Sequence, residues 1–208
     1  MLGTGLERAF KVSWLVIKLN LFFHLFSLMG GIIFGIGPSI QMVSNLFQTS
    51  EFDSKEVTLK KAFKLWKQYF IRSNVQFLFF LSLFTLLAYN LYLSVQMLGM
   101  VWLMIDFILI VAILFLYISY QYVISYEATY DMPFIQVLKL AFISVFFSFG
   151  TFFKLLLGVI TIGFVTWQIK GLLLFATFSL LIIWSVIATK RIRDVVNEKL
   201  GFNEEEMV

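Results

Sequence analysis

Residues 73–126 read SNVQFLFFLSLFTLLAYNLYLSVQMLGMVWLMIDFILIVAILFLYISYQYVISY, and Asp106 is the only charged residue in that run. A helix crosses the hydrocarbon core of a bilayer with about 20 apolar residues. The run is more than twice that length, so it must be two crossings joined by a turn. The turn falls at residues 96–100, where Gly99 supplies conformational freedom, which predicts spans over 75–95 and 101–124. On the C-terminal side, residues 148–189 divide in the same way around Gln168, Lys170 and Gly171, predicting spans over 150–168 and 171–189. On the N-terminal side, residues 12–29 make a further span. Residues 31–48 are shorter, interrupted by Gly35 and Gly37, and carry Pro38, Gln41 and Asn45. They read either as a sixth span or as a half-inserted segment whose backbone must be shielded from lipid by protein or water.

The expected fold is therefore an all-α membrane protein, a polytopic helical bundle of five to six transmembrane spans with amphipathic interfacial helices. The chain of 208 residues reads as a single integral membrane domain over 1–208. Residues 1–50 form the N-terminal span plus a broken helix, 51–126 a basic interfacial helix plus a hairpin, 127–190 a second helix plus a hairpin, and 191–208 a cytoplasmic tail. Composition agrees. With 61% hydrophobic residues, 19% aromatic residues and a mean hydropathy of +0.93, too little polar surface remains to cover a soluble globule.

A formal charge of +4 would suggest nucleic acid in a soluble protein. Here the basic residues flank apolar spans, so anionic membrane lipids are the expected counter-charge, and no nucleic-acid partner is expected. The absence of cysteine excludes disulfides, thiolate metal sites and a cysteine nucleophile. Arg8 and Lys11 precede an apolar run too long for a signal-peptide core, which reads as a retained first span. With the N-terminus in the cytoplasm and residues 31–48 returning the chain, every Lys and Arg lies inside except Lys18 and Lys154, within spans, and Lys170, outside. That arrangement follows the positive-inside bias in a bacterial cytoplasmic membrane, with both termini cytoplasmic; five spans with an external N-terminus is the alternative. Trp14, Trp66, Trp102, Trp167 and Trp184 then fall near span ends, as interfacial belts require.

A short internal repeat runs in parallel. Leu59-Lys60-Lys61-Ala62-Phe63 and Leu138-Lys139-Leu140-Ala141-Phe142 each follow an acidic residue and lead into a two-span hairpin, and Leu6-Glu7-Arg8-Ala9-Phe10 echoes them before the first span. Three units of lead-in helix plus hairpin are the resulting expectation.

Three segments carry functional expectations. Residues 53–69 predict an amphipathic helix capped by Asp53 with Glu56 at its third position; Leu59, Phe63, Trp66 and Phe70 form one face and Lys60, Lys61, Lys64 and Lys67 the other. Those lysines are candidates for contact with a cytoplasmic partner or with lipid headgroups. Gly35-Ile36-Gly37-Pro38-Ser39 is a candidate ligand site, because a helix starting within the membrane would present free N–H groups and a positive dipole end. A glycine-lined turn that lets helices pack closely is the competing reading. Asp106, inside a span, needs a partner or a proton, with Lys170 and His24 as candidates; His24 and Asn20, one turn apart, could line a polar seam. A single histidine makes no metal site, and no cofactor is expected.

The chain shows no phosphate-binding loop, no His-carboxylate ligand spacing and no Gly-x-Ser-x-Gly elbow, so no enzyme is expected. Glu127-Ala128-Thr129 superficially resembles the Glu-Ala-Ala coupling loop of ABC permeases, but Pro133 stands where that motif has glycine.

Asn20-Leu21-Phe22 leading to Phe34-Gly35-Ile36-Gly37-Pro38-Ser39, the basic Leu59–Phe63 helix and the second Leu-Lys-x-Ala-Phe helix resemble the YesL family of small bacterial integral membrane proteins. Members are commonly encoded beside carbohydrate ABC importers. The resemblance implies an accessory membrane subunit for oligosaccharide uptake, partnered by ABC importer permease subunits. A small membrane carrier using Gly35, Gly37, Pro38, Ser39, His24 and Asp106, or a purely structural membrane protein, are the alternatives.

Overall fold

A computed structural model describes residues 2–50 and 52–200. The chain runs α1 (Leu2–Met29), α2 (Ile33–Ser50), α3 (Leu59–Ser94), α4 (Met100–Glu127), α5 (Phe134–Phe147), α6 (Phe149–Gln168), a π-helical turn (Leu173–Thr177) and α7 (Phe178–Leu200), with no strand among the described residues. Among the described residues, five helical segments are long and apolar enough to cross a membrane: Ala9–Met29, Leu59–Ser94, Met100–Glu127, Phe149–Gln168 and Leu173–Lys199. The molecule is thus a polytopic helical membrane bundle, and the two long apolar runs divide into hairpins as their length requires. Gly99, with φ of 130°, forms the turn between α3 and α4.

α2 is not one of the five. Twelve of its eighteen residues are buried, including Ser39, Gln41, Ser44 and Asn45, and it packs on α1, α3, α4 and α7. A helix with this many polar side chains is costly in lipid and stable when surrounded by other helices. Two apolar clusters flank it. One joins Leu15, Leu19, Phe23 and Phe26 of α1 to Met42, Val43 and Leu46 of α2 and to Ile182, Ile183 and Val186 of α7. The other joins Ile118, Tyr122 and Tyr126 of α4 to Val137 and Ala141 of α5, Leu155 of α6 and Ile192 of α7.

Several sequence expectations are corrected. The chain reverses at Gly30-Gly31-Ile32 rather than at Gly35–Pro38: Gly31 and Ile32 have φ of 74° and 64°. The Ile32 N–H donates back to the Ser27 carbonyl at 2.9 Å and that of Gly31 to Leu28 at 3.0 Å, closing the end of α1. α2 then continues through Gly35, Gly37 and Pro38 without a break. Pro38 lies in its second turn, where its ring removes one helical bond and does not end the helix.

The basic helix begins at Leu59 rather than at Asp53. Thr58 caps it by accepting from the Lys61 N–H at 3.3 Å, while the Asp53 carboxylate accepts from the Lys55 N–H at 2.9 Å in the preceding loop. That helix is also continuous with the following span. Between Trp66 and Ser94 no glycine or proline interrupts it, whereas the second unit starts after Pro133 and breaks at Ser148, which caps α6 through Thr151. The three units are therefore not equivalent. Helix α7 extends to Leu200, so the described part of the expected tail, residues 191–200, is helical throughout. Trp184 does not stand free at a span end: its indole N–H donates to the Lys154 carbonyl at 3.1 Å and its ring closes on Gly158.

Candidate functional site

α2 folds back along α1 far enough for the Lys18 ammonium to donate to the Ser54 carbonyl at 3.0 Å. The C-terminal ends of α2 and α4 and the first third of α3 therefore meet at one end of the bundle. There they enclose a polar cleft of about 600 Å³. α2 contributes Asn45 and Thr49, α3 contributes Leu65, Gln68, Tyr69 and Arg72, and residues 127–131 close the third side.

Arg72 and Glu127 form the floor. The Glu127 side chain is 2% exposed and that of Arg72 35%. One carboxylate oxygen accepts from Gln76 Nε2 at 2.7 Å and from Arg72 Nη2 at 3.0 Å, while Arg72 Nε faces the other oxygen. The pair is thus an ion contact carried by one charge-assisted hydrogen bond, with Arg72 Nε close to the second oxygen but not hydrogen-bonded to it. Arg72 also donates to the Met132 carbonyl and lies 3.8 Å from Asp131, which is fully exposed at the lip. Thr129 donates to Gln48 Oε1 at 2.9 Å and Gln41 Nε2 to the Ile124 carbonyl at 3.3 Å, tying α2 to the end of α4. Behind this wall the Arg193 guanidinium donates to the Ser125 and Thr189 hydroxyls. The Tyr130 hydroxyl meets Asn197, and burial pushes its phenol up to about 12, so it remains a donor at neutral pH.

The Glu127 carboxylate meets Arg72 and Gln76, both from α3, so its charge is neutralised within the fold. What remains open toward the cleft is different in kind. Asn45 Nδ2 donates to the Tyr69 hydroxyl at 3.3 Å, leaving the Asn45 amide oxygen and the Tyr69 hydroxyl proton uncommitted. Gln68 is exposed and uses neither end of its amide.

The residues expected from sequence lie elsewhere and do not form one site. Lys60, Lys61, Lys64 and Lys67 line an open groove of about 910 Å³ with Thr58 and Phe63, and Gln68 is shared between this groove and the polar cleft. Gly35 packs on the backbone of Ser27, and a side chain at Gly37 would meet the Ser73 carbonyl at 2.8 Å. Both are helix-packing positions. Pro38 and Ser39 are buried beside them, with the Ser39 hydroxyl lacking a hydrogen-bond partner.

His24 and Asn20 do make a polar seam, directed at the π-helical turn. Asn20 Nδ2 donates to the Leu174 carbonyl at 2.7 Å and to that of Leu173 at 3.3 Å, while its Oδ1 accepts from the Ser179 N–H at 3.0 Å. The side-chain amide thus bridges a carbonyl and an N–H that the wide turn leaves apart. His24 Nε2 lies 3.2 Å from the Leu173 carbonyl, which makes it the protonated nitrogen. Asp106 pairs with neither His24 nor Lys170; one of its oxygens is buried without a hydrogen-bond partner.

Sequence reasoning missed the Arg72–Glu127 pair, although a signal was present. These two charges bracket the 73–126 run, whose only internal charge is Asp106, and a hairpin folded at its midpoint brings its two ends together. No curated protein and no solved structure matches the chain. Residues 16–91, which hold α2, the Asn20 seam and the α3 wall of the cleft, match the family described as Protein of unknown function, DUF624.

Proposed function

We propose that this chain is a YesL-like, non-enzymatic accessory subunit of the bacterial cytoplasmic membrane that associates with a carbohydrate ABC importer. In this proposal α2, folded back along α1 inside the bundle, returns the chain in addition to the five spans, so that both termini and the polar cleft lie on the cytoplasmic side, in keeping with the distribution of lysines and arginines. The DUF624 match over residues 16–91 and the YesL resemblance support the family part of this reading.

One observation favours a subunit over an independent carrier. A carrier built on the glycine segment and Asp106 needs a polar passage joining them. Gly37 is closed by Ser73 and Phe77, and neither Gly37 nor Asp106 lines any of five cavities among the described residues. The outer half of the α3–α4 hairpin instead presents Leu86, Tyr89, Tyr92, Leu103, Phe107 and Ile108 outward, each more than half exposed. In this proposal, part of that apolar flank meets importer helices, which associate in lipid by close packing.

The test is a pull-down of the tagged chain from mild detergent, with mass spectrometry of the co-purifying proteins. Enrichment of importer permease and ATPase subunits over an unrelated membrane protein of similar size is the expected result. A clean preparation that enriches neither overturns the assignment.

A further inference from the structure

The cleft among α2, α3 and the 127–131 segment has the size of a small-molecule site, within the range of about 300–1,000 Å³. Its floor is closed by the Arg72–Glu127–Gln76 cluster, so it suits recognition rather than passage. The electrostatics narrow the ligand. An anion finds Arg72 already held by Glu127 and the Met132 carbonyl, and it meets Asp131 at the lip. A cation finds both oxygens of Glu127 engaged and only the solvated carboxylate of Asp131 free. The uncommitted groups are the Gln68 amide, the Tyr69 hydroxyl proton, the Asn45 amide oxygen and the Arg72 Nη1, the last on a guanidinium whose charge is already offset by Glu127 and Asp131, so donors and acceptors are mixed without an uncompensated charge. Leu65 and the Tyr69 ring add an apolar wall.

We propose that this cleft binds a small uncharged, hydroxyl-rich ligand of sugar or polyol chemistry. Each ligand hydroxyl both donates and accepts, which is what alternating amide and phenol groups require. The ring faces of such a ligand carry C–H groups that lie against tyrosine and leucine. Asp131, solvated in the free protein, becomes an acceptor at the rim.

The measurement is equilibrium dialysis of radiolabelled maltose, cellobiose and melibiose against the full chain. The chain is held in a zwitterionic detergent, because a maltoside detergent would itself present the ligand chemistry. Saturable binding of at least one disaccharide is expected at about 10 mM or below. Gln68→Ala and Asp131→Ala should each weaken it by about fivefold, the loss of one hydrogen bond. Both residues are exposed, and elution of the variants as the wild type on size exclusion confirms their folding. Absence of saturable binding by all three sugars overturns the proposal. So does binding unchanged in both variants, which puts the ligand elsewhere. Tighter binding of glucose 6-phosphate, or displacement of sugar by a tetralysine peptide at lower concentration, overturns the charge argument and makes the cleft an ionic site or a docking point for a basic segment. Importer association plays no part in this assay, so either proposal can fail while the other stands.

Discussion

Removing one member of the Arg72–Glu127 pair should have unequal consequences depending on which charge is left behind. In Arg72→Gln the Glu127 carboxylate, 2% exposed, keeps only the Gln76 amide as donor, and the Met132 carbonyl loses its partner too. Breaking a buried pair in this way costs about 3–5 kcal/mol, and the near-complete burial of the survivor places this case at about 4 kcal/mol. In Glu127→Gln the survivor is Arg72, 35% exposed, which can rehydrate and retains the Met132 carbonyl and the nearby Asp131. The new amide oxygen still accepts from Gln76 or Arg72, so about 1–2 kcal/mol is expected, the difference between a charge-assisted and a neutral hydrogen bond. The double variant leaves no orphaned charge. Its cost should fall short of the sum of the singles by about 2 kcal/mol, within the range for residues in direct contact. Unfolding in mixed micelles by increasing dodecyl sulfate, followed by far-ultraviolet circular dichroism, measures all three. If Glu127→Gln is as damaging as Arg72→Gln, or the costs add to within about 0.5 kcal/mol, the pair is not the coupled floor described here.

Gly35→Ala should destabilise the fold by about 3 kcal/mol, because the new methyl group meets the Ser27 backbone and neither helix can yield locally. Gly163→Ala in α6, with open space around it, should be neutral or stabilising by up to about 1 kcal/mol in the same unfolding assay, and a reversed order would contradict the α1–α2 contact. Asn20→Leu removes a fully buried amide that makes three hydrogen bonds to the π-helical turn and the start of α7, and should cost about 2–4 kcal/mol. Faster amide exchange confined to residues 173–179 is its signature; uniform exchange across the chain would refute the local role. Replacing Lys60, Lys61, Lys64 and Lys67 by Gln should reduce the phosphatidylglycerol retained in native mass spectrometry, each lysine contributing about 1 kcal/mol near an anionic surface. Unchanged lipid retention would assign the groove another partner.

What could be read in the sequence follows from which forces act along the chain and which act across it. Span length and composition are local, so residues 73–126 and 148–189 divided correctly into hairpins, with Gly99 at the first turn. Glycine and proline were less informative, since each has two uses. Gly30 and Gly31 end a helix, whereas Gly35 and Gly37 sit inside one because a neighbouring helix comes too close for a side chain, and spacing alone does not separate those cases. The polar residues of α2 gave the same ambiguity: Gln41 and Asn45 looked like flaws in a membrane span and are contacts of a helix surrounded by protein. The residues expected to share a ligand site lie apart for a related reason. Asp106 and His24 drew notice as isolated polar groups in apolar runs, yet His24 is held by a backbone carbonyl. Arg72 and Glu127 looked ordinary, because charges at span ends usually face water. Their difference from such charges is geometric: they end two spans of one hairpin on the same side, and α2, folded between α1 and α3, removes one of them from solvent. A charge that closes a hairpin against its opposite across the run is thus a stronger pointer to the buried polar centre of this bundle than a charge in the middle of a span.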